Sequence, residues 1–203
     1  MASGVLIILA GDEIKNKEKY LALNKEYNFS ILFGISTDTY DILGKILESK
    51  DVNPENIELE IKRSLKYFKG SLKQKYPIYS SKTVNGKPLF AYARNDEVVE
   101  IPEREIFIKK IKLGKIRKIN NKKLFLIIEK RIRKVGGDFR QKEILKIWKK
   151  ELKKPRVFYT ADFKINCGSG TYVRGIANSL GEKMKIPALA FSIKRTKVGK
   201  YSI

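Results

Sequence analysis

The stretch from Val157 to Val198 does most to limit what this chain can fold into. VFYTADFKINC, rich in aromatic and β-branched residues, reads as a strand. GSGTYVRGIANSLGEKM follows as a glycine-rich turn opening a helix, and ALAFSIKRTKV is a further strand ending close to the last residue. Strand, turn, helix and strand in one run call for a sheet with a helix packed against it.

The rest of the chain extends that pattern. Tyr27 to Phe33 (YNFSILF) reads as a strand ending in the turn-like GISTDTYDILGK. NPENIELEIKRSLKYF predicts an amphipathic helix, with Asn53 as N-cap, Pro54 at the first helical position, and Ile57, Ile61, Leu65 and Phe68 on one face. EIFIKKIKL and KKLFLIIEKRI flank the turn residues Asn120 and Asn121 and predict a pair of antiparallel strands. GGDFRQKEILKIWKKELKKP predicts a short helix with Ile144, Leu145, Trp148 and Leu152 inward and lysines outward. Strands outnumber helices without the strict alternation of a parallel sheet. The expected class is therefore α+β, a mixed, mainly antiparallel sheet flanked by helices. At 203 residues, 42% of them hydrophobic, the chain is long enough to bury a full core as one large domain.

The apolar run Val5 to Ala10 resembles a short signal-peptide core. No Lys or Arg precedes it, however, and Asp12 and Glu13 follow where a small-residue cleavage site belongs. It is also far shorter than the roughly 20 apolar residues of a membrane span. It is expected to be a buried strand or the first turns of a core helix.

Charge then narrows the partner. Lys and Arg number 44 against 22 Asp and Glu, a formal net charge of +22, which points to a polyanion, with nucleic acid first. No segment pairs an apolar face with a dense basic face and free ends, so a membrane surface is not expected. The chain has no histidine and a single cysteine, Cys167, which excludes disulfide frameworks, Cys/His zinc sites and histidine acid–base chemistry. Neither metal nor cofactor is expected, and the cysteine usage fits a reducing, cytoplasmic setting.

Three segments stand above composition. CGSGTYVRG places a glycine-rich turn at a helix start, where free backbone N–H groups favour an anion. It serves phosphate contact or a tight structural turn, and it sets Tyr172 and Arg174 two residues apart. YPIYSSKTVNGKPLFAYAR interleaves Tyr76, Tyr79, Phe90 and Tyr92 with Lys75, Lys82, Lys87 and Arg94, the mixture that stacks on bases while neutralising phosphates, or a surface loop with half-buried tyrosines. KEYNFSILFGISTDTYD carries Tyr27 on the strand and Asp38 and Asp41 in a Thr-rich turn, where carboxylates usually act as caps and turn formers.

Together these segments resemble the TruB family of tRNA pseudouridine synthases, in the family's order. GISTDTYDILGKI is similar to its Gly-x-x-Thr-Asp-Thr-x-Asp-x-x-Gly-x-Ile segment. FKGSLKQKYPIYSSKTVNGKPLFAYARNDEVVEIPER resembles its long insert, with Gln74, Pro77, Tyr79, Ser80, Lys82, Gly86, Ala93, Arg94, Pro102 and Arg104 in register. CGSGTYVRGIANSLG is similar to its Cys-x-x-Gly-Thr-Tyr-Ile/Val-Arg segment, and SIKRTKVGKY resembles its Leu-Arg-Arg-Thr-x-Val-Gly strand, with Ile193 where Leu is usual. The resemblance implies the pseudouridine synthase fold and, without metal or cofactor, isomerisation of a flipped T-loop uridine in tRNA to pseudouridine by an aspartate.

Carried over by residue, Tyr27 matches the tyrosine that stacks on the flipped uracil and Arg174 the arginine that pairs with the catalytic aspartate. Tyr172 matches the tyrosine beside it, and Ile193 an apolar wall of the pocket. Residues about 74–104 match the segment that clamps the T-loop, making Lys75, Tyr79, Lys82, Lys87 and Arg94 candidate RNA contacts, and Arg195 of the last strand is a further one. Asp38 and Asp41 match structural positions.

The family's motif Gly-x-Leu-Asp-Pro-x-Ala-x-Gly-Val-Leu meets the chain only as Met1 to Leu6, so the nucleophilic Asp is expected just upstream of Met1 and the catalytic domain to be incomplete there. The family's Gly-x-Ala-Thr-Lys appears as Gly11 to Lys15 without its Thr. A basic helical insert about 136–156, around Trp148, is extra, and no C-terminal RNA-binding domain is expected after Ile203. Expected is the catalytic domain over 1–203, acting as a monomer on the tRNA T-stem-loop in the cytoplasm. The alternative is a catalytically inactive tRNA-binding or RNA-chaperone protein.

Overall fold

The computed structural model describes residues 2–203; Met1, the first position of the motif match, lies outside the described residues. In chain order the strands are β1 (Ala2–Gly4), β2 (Lys25–Phe33), β3 (Ile35–Thr37), β4 (Ile46–Ser49), β5 (Gly70–Lys75), β6 (Thr83–Val84), β7 (Lys87–Pro88), β8 (Glu103–Asn120), β9 (Val157–Cys167), β10 (Ala188–Val198) and β11 (Tyr201–Ser202). The helices are α1 (Lys17–Ala22), α2 (Ile57–Leu65), α3 (Leu89–Arg94), α4 (Asn121–Ile132), α5 (Gln141–Glu151) and α6 (Val173–Met184). One seven-stranded sheet runs β1-β10-β2-β9-β8-β5, with β11 also on β10. Its pairings are antiparallel except β1 with β10, so the class expected from the sequence is found: mixed, mainly antiparallel, with helices on both faces.

Strand alternation assigns the two faces. Phe29, Ile31 and Phe33 of β2 join Phe163 and Ile165 of β9 and Ile106 and Ile108 of β8 beneath Ile57 and Ile61 of α2 and Val173, Ile176, Ala177 and Leu180 of α6. Leu32, one residue out of phase, looks the other way, to Ile119, Phe158 and Leu189 beneath α4 and α5. The covering residues there are Leu124, Ile128 and Ile132 from α4 and Ile144 and Trp148 from α5, with Leu152 just beyond it. Each fully buried aliphatic or aromatic side chain contributes about 1.5–3 kcal/mol of transfer free energy.

Three sequence expectations are corrected. KKLFLIIEKRI is not a return strand: β8 continues to Asn120 and the chain then turns into α4. Asn120 accepts a hydrogen bond from the Lys123 N–H at 2.9 Å, which caps the helix, and Leu124, Ile128 and Ile132 fall four apart on its buried side. Besides β5, the antiparallel partner of β8 is β9, so α4 and α5 together are the connection between neighbouring strands.

Val5 to Ala10 form neither a buried strand nor a helix. Only Ala2–Gly4 pair, in register with Ile193–Arg195, and Leu6 and Ile8 are 72% and 82% exposed. β11 takes the same edge of β10 just beyond, at Lys197 and Val198, so no ladder is open to the residues after Gly4. Gly4 itself sits at φ 103°, with its α-carbon so close to the Arg195 carbonyl that a Cβ would collide with it.

The third correction is small. α2 starts at Ile57, a turn later than expected, because Asn53 Oδ1 accepts from the Glu55 N–H at 3.0 Å and closes a turn before the helix. Ile57, Ile61 and Phe68 are buried as anticipated, with Leu65 partly so.

Candidate active site

A cleft of about 800 Å³ opens where β1, β2, β10 and the head of α6 meet. β2 brings Tyr27, whose ring burial pushes its hydroxyl pKa up. Tyr27 stands opposite Arg195 across the β2–β10 ladder, and Ile193 lies two residues earlier on β10, 9% exposed. Arg195 donates through Nε to the Val5 carbonyl at 2.7 Å, tying the segment after β1 to the wall.

The opposite wall is the turn between β9 and α6. Tyr172 is the N-cap residue of α6, and Gln74 of β5 grips it from the side. Gln74 Nε2 donates to the Tyr172 carbonyl at 3.0 Å, and the Tyr172 N–H donates to Gln74 Oε1 at 2.9 Å. A buried amide thus satisfies both backbone groups of one residue, fixing where the ring of Tyr172 and, two positions on, the guanidinium of Arg174 emerge. Gly170 in the turn has φ 72°, and a side chain there would run into the Arg104 guanidinium, which lies beside the Tyr76 ring.

Arg174 sits at the centre. Its Nη2 donates to the Tyr79 carbonyl at 2.6 Å and its Nη1 approaches Asp41 Oδ2 at 3.5 Å. Asp41 is 5% exposed; its Oδ1 accepts from the Thr39 hydroxyl at 2.8 Å and the Leu43 N–H at 2.9 Å. Burial raises the Asp41 carboxyl pKa, against the opposing pull of Arg174 and these two donors. Burial also raises Tyr79, with the Asp38 carboxylate adding to it. Arg94, Arg174 and Arg195 set three permanent cations on the lining against one carboxylate, which favours an anionic guest.

Of the candidate pocket and RNA-contact residues, the cleft gathers Tyr27, Tyr79, Arg94, Tyr172, Arg174, Ile193 and Arg195, and Phe90 and Ser80 of the insert line it too. Lys75, Lys82 and Lys87 are not on its lining. Lys75 ends β5, Lys82 lies over the Tyr76 ring, and Lys87 is engaged with Glu97 at 2.5 Å and with the face of Tyr92. Among the described residues no group of three or more His, Cys, Asp or Glu could hold a metal ion.

The model of the TruB family pseudouridylate synthase N-terminal domain matches residues 1–130, well over half of the chain. The chain belongs to the TruB family. Its TruB relatives include the tRNA pseudouridine synthase B of Staphylococcus saprophyticus, 32% identical over 99% of this chain and 55% of that one. That of Lactobacillus acidophilus is 35% identical over 95% of this chain and 54% of its own. The chain thus spans about half the length of the curated relatives it matches. The crystal structure of a Cbf5-Nop10-Gar1 complex shares the fold, at TM-score 0.54 and 15% identity, over 99% of this chain and 38% of that one.

Within this TruB chain, sequence reasoning missed three participants. The sequence offers Asp41 as a turn former; it is one, and it also faces Arg174 across 133 positions. Gln74 had been noted only as a matching position, and its amide fork has no local signal. Phe139, from the extra basic insert, lines the cleft, although the only signal in that stretch was its helical period. No helix among the described residues is long and apolar enough to cross a membrane.

Proposed function

We propose that this cleft receives a flipped uridine from the tRNA T-stem-loop, and that the chain is the base-binding part of a synthase that isomerises it to pseudouridine. The observation that carries the reading is the convergence of Tyr27, Tyr172, Arg174 and Ile193, from β2, the head of α6 and β10, on one cleft. Extruding a base costs a few kcal/mol, and the site must return it by stacking and hydrogen bonding. Tyr27 offers a ring face to the uracil, Ile193 an apolar wall, and Arg94 and Arg195 permanent charge to the phosphates. In the reaction the bond from the sugar to N1 breaks, the uracil turns and C5 bonds to the sugar. C5 gives up its proton while N1 regains one, so no cofactor is consumed.

The nucleophile belongs, on this reading, to the motif segment directly ahead of Met1. In support, Ala2, Ser3 and Gly4 of β1 line the cleft, so the chain preceding them would be delivered to the same wall. The test is pseudouridine formation in a T-stem-loop RNA. Residues 1–203 should give none, whereas a chain extended upstream by the motif's Asp-Pro should convert the uridine. Turnover by residues 1–203 overturns the placement of the aspartate.

A second reading, a tRNA-binding or RNA-chaperone protein without chemistry, draws on Asp41. It is the one carboxylate on the cleft lining among the described residues, and it is buried and engaged by Arg174, Thr39 and Leu43. Binding without conversion by the extended chain would favour that reading. In both cases the partner is tRNA, met by a monomer in the cytoplasm, and affinity should drop steeply as salt rises.

A further inference from the structure

The α4–α5 connection reaches the cleft through its tip. Gln141, at the start of α5, closes the preceding loop with its own side chain. The Phe139 N–H donates to Gln141 Oε1 at 2.8 Å, and Gln141 Nε2 donates to the carbonyls of Val135 at 3.1 Å and Gly137 at 2.7 Å. Arg140, between them, is held at φ 59°, a left-handed conformation uncommon for such a residue, with its N–H on Asp138 Oδ1 at 3.3 Å. A loop fixed by this many bonds is a built feature.

From that position Arg140 reaches back to the motif segments. Its Nη1 pairs with Asp38 Oδ2 at 2.9 Å, with side chains 22% and 18% exposed. Its guanidinium lies over the Tyr79 ring at 4.5 Å, and the Phe139 ring meets Tyr79 edge-on at 6.5 Å. Tyr79 is also the residue whose carbonyl takes Arg174 Nη2, so the insert is two contacts from the centre of the site. Phe139 is half-buried: it packs against the core beneath α4 and α5 and also lines the cleft.

We propose that the insert supplies the outer wall of the cleft, with Phe139 as a stacking platform for an RNA base and Arg140 as the positioning residue that holds Phe139 and Tyr79 together. This rests on the reading that the cleft binds RNA. An aromatic face anchored on apolar residues behind and flanked by a permanent cation suits a nucleobase of any sequence, because every base has a stacking face. A surface contact to phosphate needs no such anchoring.

The probe is a T-stem-loop RNA hairpin, with affinity measured over a range of salt and thermal unfolding followed in parallel. Phe139→Leu keeps the apolar packing and removes the ring. It should weaken binding about tenfold at every salt concentration, leaving the salt slope and the melting temperature as in the parent. Phe139→Tyr should bind like the parent. Arg140→Lys, which keeps charge but loses the planar fork over Tyr79, should weaken binding in the same direction. Lys82→Ala sets the contrast, since loss of a phosphate contact lowers the salt slope by about one unit. Binding by Phe139→Leu within about twofold of the parent, where stacking is worth far more, overturns the proposal. If the parent binds and Arg195→Ala weakens it while Phe139→Leu does not, only the insert proposal falls. If the parent does not bind the hairpin, the RNA reading of the cleft falls and takes this one with it.

Discussion

The two faces of the sheet are covered by helix pairs of similar apolar content, yet they relate to the cleft in different ways. Under α2 and α6 the core and the site share one element: α6 buries Val173, Ile176, Ala177 and Leu180 and offers Tyr172 and Arg174 from its first turn. Under α4 and α5 the helices serve the core, and only the loop between them touches the cleft. The fixing forces differ as well. The α6 wall is held by the neutral Gln74 amide fork, whereas the insert loop, closed on itself by the Gln141 amide, is tied to the rest of the site by the Arg140–Asp38 ion pair. A wall fixed by buried neutral hydrogen bonds should be indifferent to salt, and one fixed by a partly exposed ion pair should not.

The comparison breaks first at Trp148. It is fully buried and its Nε1 donates to the Gly44 carbonyl at 3.1 Å, so W148A should cost about 3–5 kcal/mol in denaturant unfolding. Ile176→Ala on the other face should fall in the range of about 2–5 kcal/mol. A cost for W148A under about 1 kcal/mol, as for a surface change, would make the α4–α5 pair an appendage and not half of the core.

The next largest effect separates the two walls. Gln74→Ala strands the N–H of Tyr172 and leaves its carbonyl only the Ile176 N–H, which should cost about 1–3 kcal/mol and loosen RNA binding without touching the insert. If its unfolding midpoint equals that of the parent, the fork does not hold the α6 wall.

The smallest effect lies where the walls meet. Burial holds the Asp41 pKa above its unfolded 3.8, so the folded chain binds the extra proton. Its contribution to stability is fully present below pH 3.8 and is lost as pH rises through the raised value. Asp41→Asn keeps an oxygen for Thr39 and Leu43 and should flatten that acid-range slope. An unchanged slope would place the titration elsewhere.

Much of the fold was legible because its signals are local. β9, the α6 turn and β10 appear where VFYTADFKINC, GSGTYVRG and ALAFSIKRTKV put them, since two strand-forming runs separated by a glycine-rich break and a helix start allow few other assignments. KKLFLIIEKRI was misread because its apolar residues satisfy both periods. Asn120, which suits a hairpin turn as well as a helix cap, could not arbitrate between them. The cleft was legible where one motif supplies neighbours, as with Tyr172 and Arg174, and not where partners come from distant segments.

The sequence by itself determined the family, the α+β class, the basic character of the chain and the apolar stripes of α2 and α5. It could not determine what covers each stripe. Only the tertiary structure decided that the chain leaves the edge of β10 after Val5, where β11 takes over that edge. It also decided that Asp41 meets Arg174 and that Arg140 reaches Asp38 and Tyr79. The reason is physical: periodicity records which face of an element must leave water, while the partner that removes the water is chosen by how the whole chain closes on itself.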